Sequence, residues 1–366
     1  MKAAVLEEQG KPVRIRDDVE IADPGPGQVR VKVHACGICH SDLSIVDGAF
    51  PSAVPVVLGH EAAGVVETVG SGVQGLAEGD HVVLTPVPPC GTCYWCVRSE
   101  PGCCVNTAGL MTSSFPDGAT GLRCGGETVW RGVNMAGFAE KVLVPATGAV
   151  KVPSDLPLDV LCVIGCAVQT GVGAVLNTAK VEEGATVLIM GLGGIGLSAV
   201  QGARIAGAAR IIVSDPVAER REVAGRFGAT DFIDPTVEDV IQKTHALTGF
   251  GADYAFETAG RAALAQTGLF ATRPGGTTVC VGAPSISEGI EFSPAAVFVI
   301  QEKKLLGCTL GSSNSLREIP RLVALWQAGR LDLESMITAR RPLAAINDGL
   351  QDLRSSRGVR TVLSIA

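Results

Sequence analysis

Apolar positions along the chain follow two rhythms. From Lys2 to about Pro153 they come in short β-branched runs broken by glycine and proline. Gln28–Ala35 alternates apolar and polar, and Ala62–Val69 and His81–Leu84 read alike, which predicts strands with one buried face. Pro-Gly, Gly-Asp and Ser-Gly pairs punctuate the runs as turns. This half is expected to be mostly β, a barrel or distorted sandwich with long loops.

From about Glu183 the rhythm changes. Thr186–Met190, Arg210–Ser214, Asp253–Glu257 and Thr277–Val281 read as buried strands, and Ile195–Gly207, Val217–Phe227, Val237–Leu247 and Arg261–Ala271 as helices. Strands alternating with helices predict βαβ units and a parallel sheet covered on both faces. After about Gly311 the pattern gives helices at Leu316–Ala328 and Leu343–Arg354 and a strand near Arg360–Ile365. Ala295–Leu310 holds two apolar runs around Gln301–Lys304. It reads as an edge strand for a sheet shared between subunits, or as an internal helix and strand.

A chain of 366 residues favours two domains, and 46% apolar residues suffice for large cores. The net charge of −7 and the lack of any basic run disfavour nucleic acid and anionic membranes as partners. No apolar stretch approaches the roughly 20 residues a membrane span needs. Met1–Gly10 reads as the start of a strand and not as a signal peptide, so a cytoplasmic protein is expected. In such a chain twelve cysteines point to metal or catalytic duty before disulfides, and five of them crowd between Cys90 and Cys104.

Gly191, Gly193 and Gly196 form G-x-G-x-x-G, with Gly194 and Ile195 inside it, after a strand and at the start of a helix. That context predicts a dinucleotide site: a tight turn, close approach of backbone to pyrophosphate, and an anion at a helix N-terminus. Asp215 closes the second strand, where its carboxylate can bind ribose hydroxyls and repel a 2′-phosphate, so NAD is expected over NADP. Arg220 lies near enough to bind either group.

Cys90, Cys93, Cys96 and Cys104, spaced 3, 3 and 8, predict a closed four-thiolate zinc cage that is structural, with Cys103 as a competitor. Cys39-His40-Ser41-Asp42, His60-Glu61 and Cys166 lie in three separate segments. Their residue types suit an open zinc shell of two cysteines and one histidine, although spacing alone leaves the grouping undecided.

At these residues the chain resembles the zinc-containing, medium-chain alcohol dehydrogenase family. The likeness rests on Cys36-Gly-Ile-Cys-His-Ser-Asp42, Gly59-His-Glu61, the cysteine loop, Gly165-Cys166 with Thr170-Gly171, Gly191–Gly196 and Asp215. It implies an α/β fold: a Rossmann doubly wound parallel sheet at 168–309, plus a chaperonin-10-like β-rich catalytic domain at 1–167 and 310–366. It implies two zinc ions per chain, with Cys39, His60 and Cys166 as ligands of the catalytic one. Glu61 would stand beside that zinc, Asp42 would orient His60, and Ser41 would touch the substrate hydroxyl and begin proton removal. Thr170 would lie near the nicotinamide, Val281 would belong to the cofactor site, and His40 and Arg360 would approach the pyrophosphate. The activity implied is reversible hydride transfer between a small alcohol and NAD, in a homodimer.

Three positions depart from patterns found in the family. A relay histidine common in the family is Ser44 here. The long Val105–Gly137 segment resembles the animal-type and glutathione-dependent branches, yet Ala108 and Phe50 stand where the latter carry an arginine and an acid. Both changes favour a free primary or aromatic alcohol, though Phe50 reads equally well as ordinary packing. A thiol-adduct or polyol dehydrogenase is the first alternative, and a non-catalytic zinc- or cofactor-binding protein the second.

Overall fold

The computed structural model describes residues 1–291 and 294–365. Ala366, the end of the expected 310–366 segment, and residues 292–293, inside the expected 168–309 domain, lie outside the described residues. The chain forms two compact units, one of Met1–Cys166 with Asn314–Ala366 and one of Ala167–Ser313.

The first unit is β-rich. Its seven-stranded sheet runs in the order Ala149–Lys151, His81–Leu84, Glu61–Val69, Gln28–Gly37, Arg360–Ser364, Ile337–Pro342, and Lys141–Pro145 also pairs with Gln28–Gly37. Along the central strand Val29, Val31 and Val33 are fully buried while Lys32 and His34 face outward, the alternation of a half-buried sheet. Register shifts beside Val31 and Ala35 bend this strand. A four-stranded sheet (Trp130–Arg131, Val56–Val57, Ala3–Leu6, Arg14–Arg16) closes over the same core. The Ile337–Pro342 strand was not expected from the sequence, because its exposed alternate positions are Thr338, Arg340 and the terminal Pro342 and only Ile337 is buried.

The second unit holds a six-stranded sheet in the order Asp231–Ile233, Arg210–Ser214, Thr186–Met190, Ala252–Glu257, Thr272–Cys280, Lys304–Gly307. Every pairing is parallel. Numbered within this unit, the order is 3-2-1-4-5-6, that of a doubly wound nucleotide-binding sheet. Register places Met190, Ser214, Glu257 and Cys280 side by side at the C-terminal rim of the sheet. The helix that follows the first strand, Gly194–Ala206, ends on Gly207 in the left-handed conformation. It packs against Ala167–Gly173 so closely that a Cβ on Gly171 would lie 2.2 Å from the Ile195 carbonyl oxygen.

In the 295–310 segment the chain forms a helix, Ala295–Ile300, then the edge strand Lys304–Gly307. Val299, Ile300 and Leu306 are exposed there. Among the described residues no single helix is long and apolar enough to cross a membrane.

Candidate functional site

The first unit gathers one set of metal-binding groups. Cys39 caps the helix His40–Val46, and the Asp42 carboxylate reaches back to accept the Cys39 N–H at 3.0 Å. Asp42 is fully buried. Its other oxygen accepts the Gly59 N–H at 2.9 Å and lies 3.2 Å from His60 Nδ1. Gly59 has φ +90° and a Cβ there would meet Phe138 at 2.5 Å, so the turn that presents His60 and Glu61 requires glycine. Cys166 follows a tight turn, Cys162–Gly165, in which a Cβ on Gly165 would lie 2.2 Å from the Leu84 carbonyl oxygen.

One ligand atom from each of Cys39, His60, Glu61 and Cys166 lies within 4.8 Å of the others. His60 Nε2 is buried with no hydrogen-bond partner, a costly state for an isolated imidazole and the usual state of one that ligates a metal. Two soft thiols, an imidazole held from behind by a carboxylate and a nearby acid make a donor set that fits zinc. The hydrogen bond from Cys166 and the cationic neighbours His60 and Arg360 outweigh burial and hold the Cys39 thiol well below its ordinary range. Burial opposes a charge on His60, but Asp42 and Cys39 overcome it and hold the imidazole well above its usual range. Burial pushes Glu61 up to about 7, against the pull of Arg360.

Arg360 is buried and donates to the Ile38 carbonyl oxygen at 2.6 Å, with Nε 3.4 Å from Glu61 Oε2. Ser41 Oγ lies 4.0 Å from Cys39 Sγ. His40 is exposed on the first turn of the same helix. Phe50 packs against the core of this unit, which accounts for its apolar side chain as packing.

The second set is the cysteine loop. The four sulfurs of Cys90, Cys93, Cys96 and Cys104 lie within 4.8 Å of one another. Cys103 is exposed and stands outside the group. Backbone N–H groups of Cys90 and Cys93 point at Cys104 and Cys90 sulfur, each at 3.3 Å. N–H groups of Cys96 and Val105 draw the Cys93 thiol down to about 6, while burial pushes Cys104 up to about 12. Four converging sulfurs with thiolate-favouring N–H groups suit a closed zinc shell.

The second unit carries the glycine turn. Gly191 has φ +95°, a Cβ on Gly196 would lie 1.8 Å from the Gly191 carbonyl oxygen, and a Cβ on Gly193 would meet nothing. Gly193 caps the helix, with Gly194 and Ile195 in its first turn. Asp215, at the rim, accepts the Leu192 N–H at 2.6 Å and the Val217 N–H at 2.8 Å, so it anchors the turn itself. Arg220 is half-buried on the next helix. Its neighbour Arg221, not singled out in the sequence, donates to the Asp215 carbonyl oxygen at 2.5 Å and pairs with Asp234 at 3.1 Å. Thr170 lies buried in Ala167–Gly173, and Val281 donates its N–H to the Glu257 carbonyl oxygen at 2.8 Å.

Comparison with known proteins agrees with this chemistry. The alcohol dehydrogenase GroES-like domain family matches residues 25–154, and the zinc-binding dehydrogenase family matches residues 194–325. A Mycobacterium tuberculosis (strain CDC 1551 / Oshkosh) protein, named "Putative alcohol dehydrogenase D", is 36% identical over 363 residues, covering 99% of this chain and 98% of its own. The crystal structure of an alcohol dehydrogenase zinc-binding domain protein from Burkholderia ambifaria superposes with a TM-score of 0.94 at 37% identity, over 100% of this chain and 98% of the other. Benzyl alcohol dehydrogenase from Acinetobacter calcoaceticus gives a TM-score of 0.94 at 32% identity, over 100% and 99%. With both halves matched and both zinc-type donor sets in place, the chain belongs to the zinc-containing medium-chain alcohol dehydrogenase family.

Proposed function

We propose that this enzyme interconverts a small apolar primary alcohol, aromatic alcohols included, and its aldehyde, with NAD as the redox partner. The observation that carries the reading is the buried Cys39–His60–Cys166 donor set with Glu61 beside it. Zinc held by Cys39, His60 and Cys166 supplies Lewis acidity that lowers the pKa of an alcohol oxygen. NAD supplies the hydride acceptor. The chain's own residues do the rest. Asp42 fixes the His60 ring through Nδ1, Glu61 and Arg360 form a buried ion pair beside the donor set, and Ser41, on the first turn of the helix, relays the hydroxyl proton, accepting it as its own hydroxyl proton passes to water.

Asp215 supports NAD over NADP. Its carboxylate is fixed at the strand rim by two backbone N–H groups, and a 2′-phosphate there would meet a charge of its own sign. Arg221 is engaged by the Asp215 carbonyl and Asp234. Cys90, Cys93, Cys96 and Cys104 form the proposed structural zinc site, giving two zinc ions per chain. Ala108, in place of a cationic side chain, favours a free alcohol over a carboxylate-bearing thiol adduct.

A homodimer is the proposed assembly. Among the described residues no strand pairs with the outer side of Lys304–Gly307, next to exposed Val299, Ile300 and Leu306, and a second copy can extend the sheet across that edge. Twelve cysteines outside any disulfide suit the reducing cytoplasm. The deciding experiment measures zinc per chain together with NADH absorbance across a panel of aliphatic, aromatic and polyol substrates. Two zincs and fastest turnover on apolar primary alcohols are expected, and no turnover of any alcohol by zinc-replete protein rejects the reading.

A further inference from the structure

The strand Ala252–Glu257 ends in an acid that is 2% exposed at the C-terminal rim of the parallel sheet. Its polar partners there are backbone groups. Glu257 Oε1 accepts the N–H of Ala259 at 2.8 Å and of Arg261 at 3.2 Å. Burial raises the pKa of this carboxylate, and N–H groups of Gly260 and Gly282 join those of Arg261 and Ala259 in opposing it. Its backbone oxygen accepts the N–H of Val281 at 2.8 Å and of Gly282 at 3.0 Å. One residue therefore ties together two separate loops, 258–261 and 281–283.

Those loops leave no space between them. A Cβ on Gly282 would lie 2.1 Å from the Gly260 nitrogen, and one on Gly260 would lie 2.8 Å from the Ala283 carbonyl oxygen. The first loop also presses on the glycine turn, where a Cβ on Gly191 would lie 2.8 Å from Ala259 Cβ. Thr258 Oγ1 donates to the Gly191 carbonyl oxygen at 2.6 Å. In open α/β sheets, dinucleotides bind outside the carboxyl ends of the strands, where these loops lie.

We infer that Glu257 is a positioning residue for the dinucleotide: beneath the rim, its carboxylate holds the 258–261 and 281–283 loops in the arrangement that receives the cofactor, without touching it. The inference rests on the dinucleotide reading above. Preorganised loops reduce the ordering cost of binding, so the effect belongs to affinity and not to the chemical step.

The test uses zinc-replete enzyme and NADH as the probe, with NADH affinity read by fluorescence and KM for NAD and kcat read separately. Glu257→Gln keeps the size and one acceptor oxygen but removes the charge and puts an NH2 in place of the second oxygen. It is expected to weaken NADH binding and raise KM for NAD by about tenfold, the scale of a lost charged hydrogen bond, while kcat at saturating NAD stays within about twofold. Glu257→Asp keeps the charge on a shorter arm and should fall between the two. Wild-type NADH affinity in folded Glu257→Gln overturns the inference, and if that variant does not fold, wild-type affinity in Glu257→Asp does so. Absence of NADH binding by the parent enzyme would instead remove the cofactor reading itself.

Discussion

Asp42 and His60 form a buried carboxylate–imidazole pair, Oδ1 to Nδ1 at 3.2 Å, that leaves His60 Nε2 without a hydrogen-bond partner. Asp42 also bonds the backbone of Cys39 and Gly59, so one side chain sets two ligand-bearing segments. Asp42→Asn keeps the shape and loses the charge. It should lower affinity for the catalytic zinc by about 10- to 100-fold. Competition with a chelator measures this, and unchanged zinc retention would show that Asp42 only shapes the helix start.

The two cysteine sets should separate function from stability. Cys39→Ser is expected to cut kcat/KM by at least about 100-fold with little change in Tm, since an open site contributes mainly to chemistry. Cys104→Ser should lower Tm and release the second zinc, since that cage holds its own loop. Metal analysis beside thermal melts distinguishes them. Full turnover by Cys39→Ser would sink the catalytic-zinc assignment.

Ser41 lies beside the Cys39 thiol and Ser44 lies one turn further along the same helix. Ser41→Ala should slow alcohol oxidation by about 100-fold, the lower range for a lost proton-transfer group, and Ser44→Ala should change it less than about threefold. Equal small effects in steady-state assays would remove Ser41 from the proton path.

Asp215→Asn removes the fixed charge at the rim while keeping an acceptor for the Leu192 N–H. The ratio of kcat/KM for NADP to that for NAD should rise by about tenfold or more. An unchanged ratio would place cofactor choice elsewhere.

Lys303 is 7% exposed and its ammonium donates to the Thr272 carbonyl oxygen. Burial pushes its pKa down to about 8, below the value of about 10.4 for an unfolded chain. Folding therefore disfavours its charged form. The penalty is fully present below about pH 8 and is relieved as pH rises from there to about 10.4. Between pH 7 and pH 10 the Tm of wild type should gain a few degrees relative to Lys303→Met. A difference that stays constant with pH would contradict this.

The parallel strands were legible because both faces are buried: Thr186–Met190 and Arg210–Ser214 are near-continuous apolar runs with the expected bounds. Asp231–Ile233 was not, since three residues with Phe232 exposed carry no periodic signal. The helix expected at Val237 starts at Val240, because the Asp239 side chain caps it by accepting the Gln242 N–H. The cysteine loop could be grouped from spacing alone. Cys39, His60 and Cys166 could not, because only the turns at Gly59 and Gly165 bring distant segments together. Glu257 was placed at the end of its strand, but without a glycine motif beside it nothing in the sequence showed what its carboxylate holds until its N–H partners are visible.

The middle of the seven-stranded sheet has a consequence for biosynthesis. Gln28–Gly37 pairs along one stretch with Arg360–Ser364, and the Arg360 side chain bonds the carbonyl of Ile38, 322 residues away in sequence. A growing chain that has just exposed Cys39 and His60 on the ribosome lacks the strand and the arginine that close behind them. The 167–313 unit, made in between, has all six strands of its own sheet before the first unit has its full set. Domains fold as units during synthesis. The nucleotide-type unit can thus mature first, and the buried Glu61–Arg360 contact forms only as the 360–364 strand docks, so the surroundings of Cys39, His60 and Cys166 are completed last.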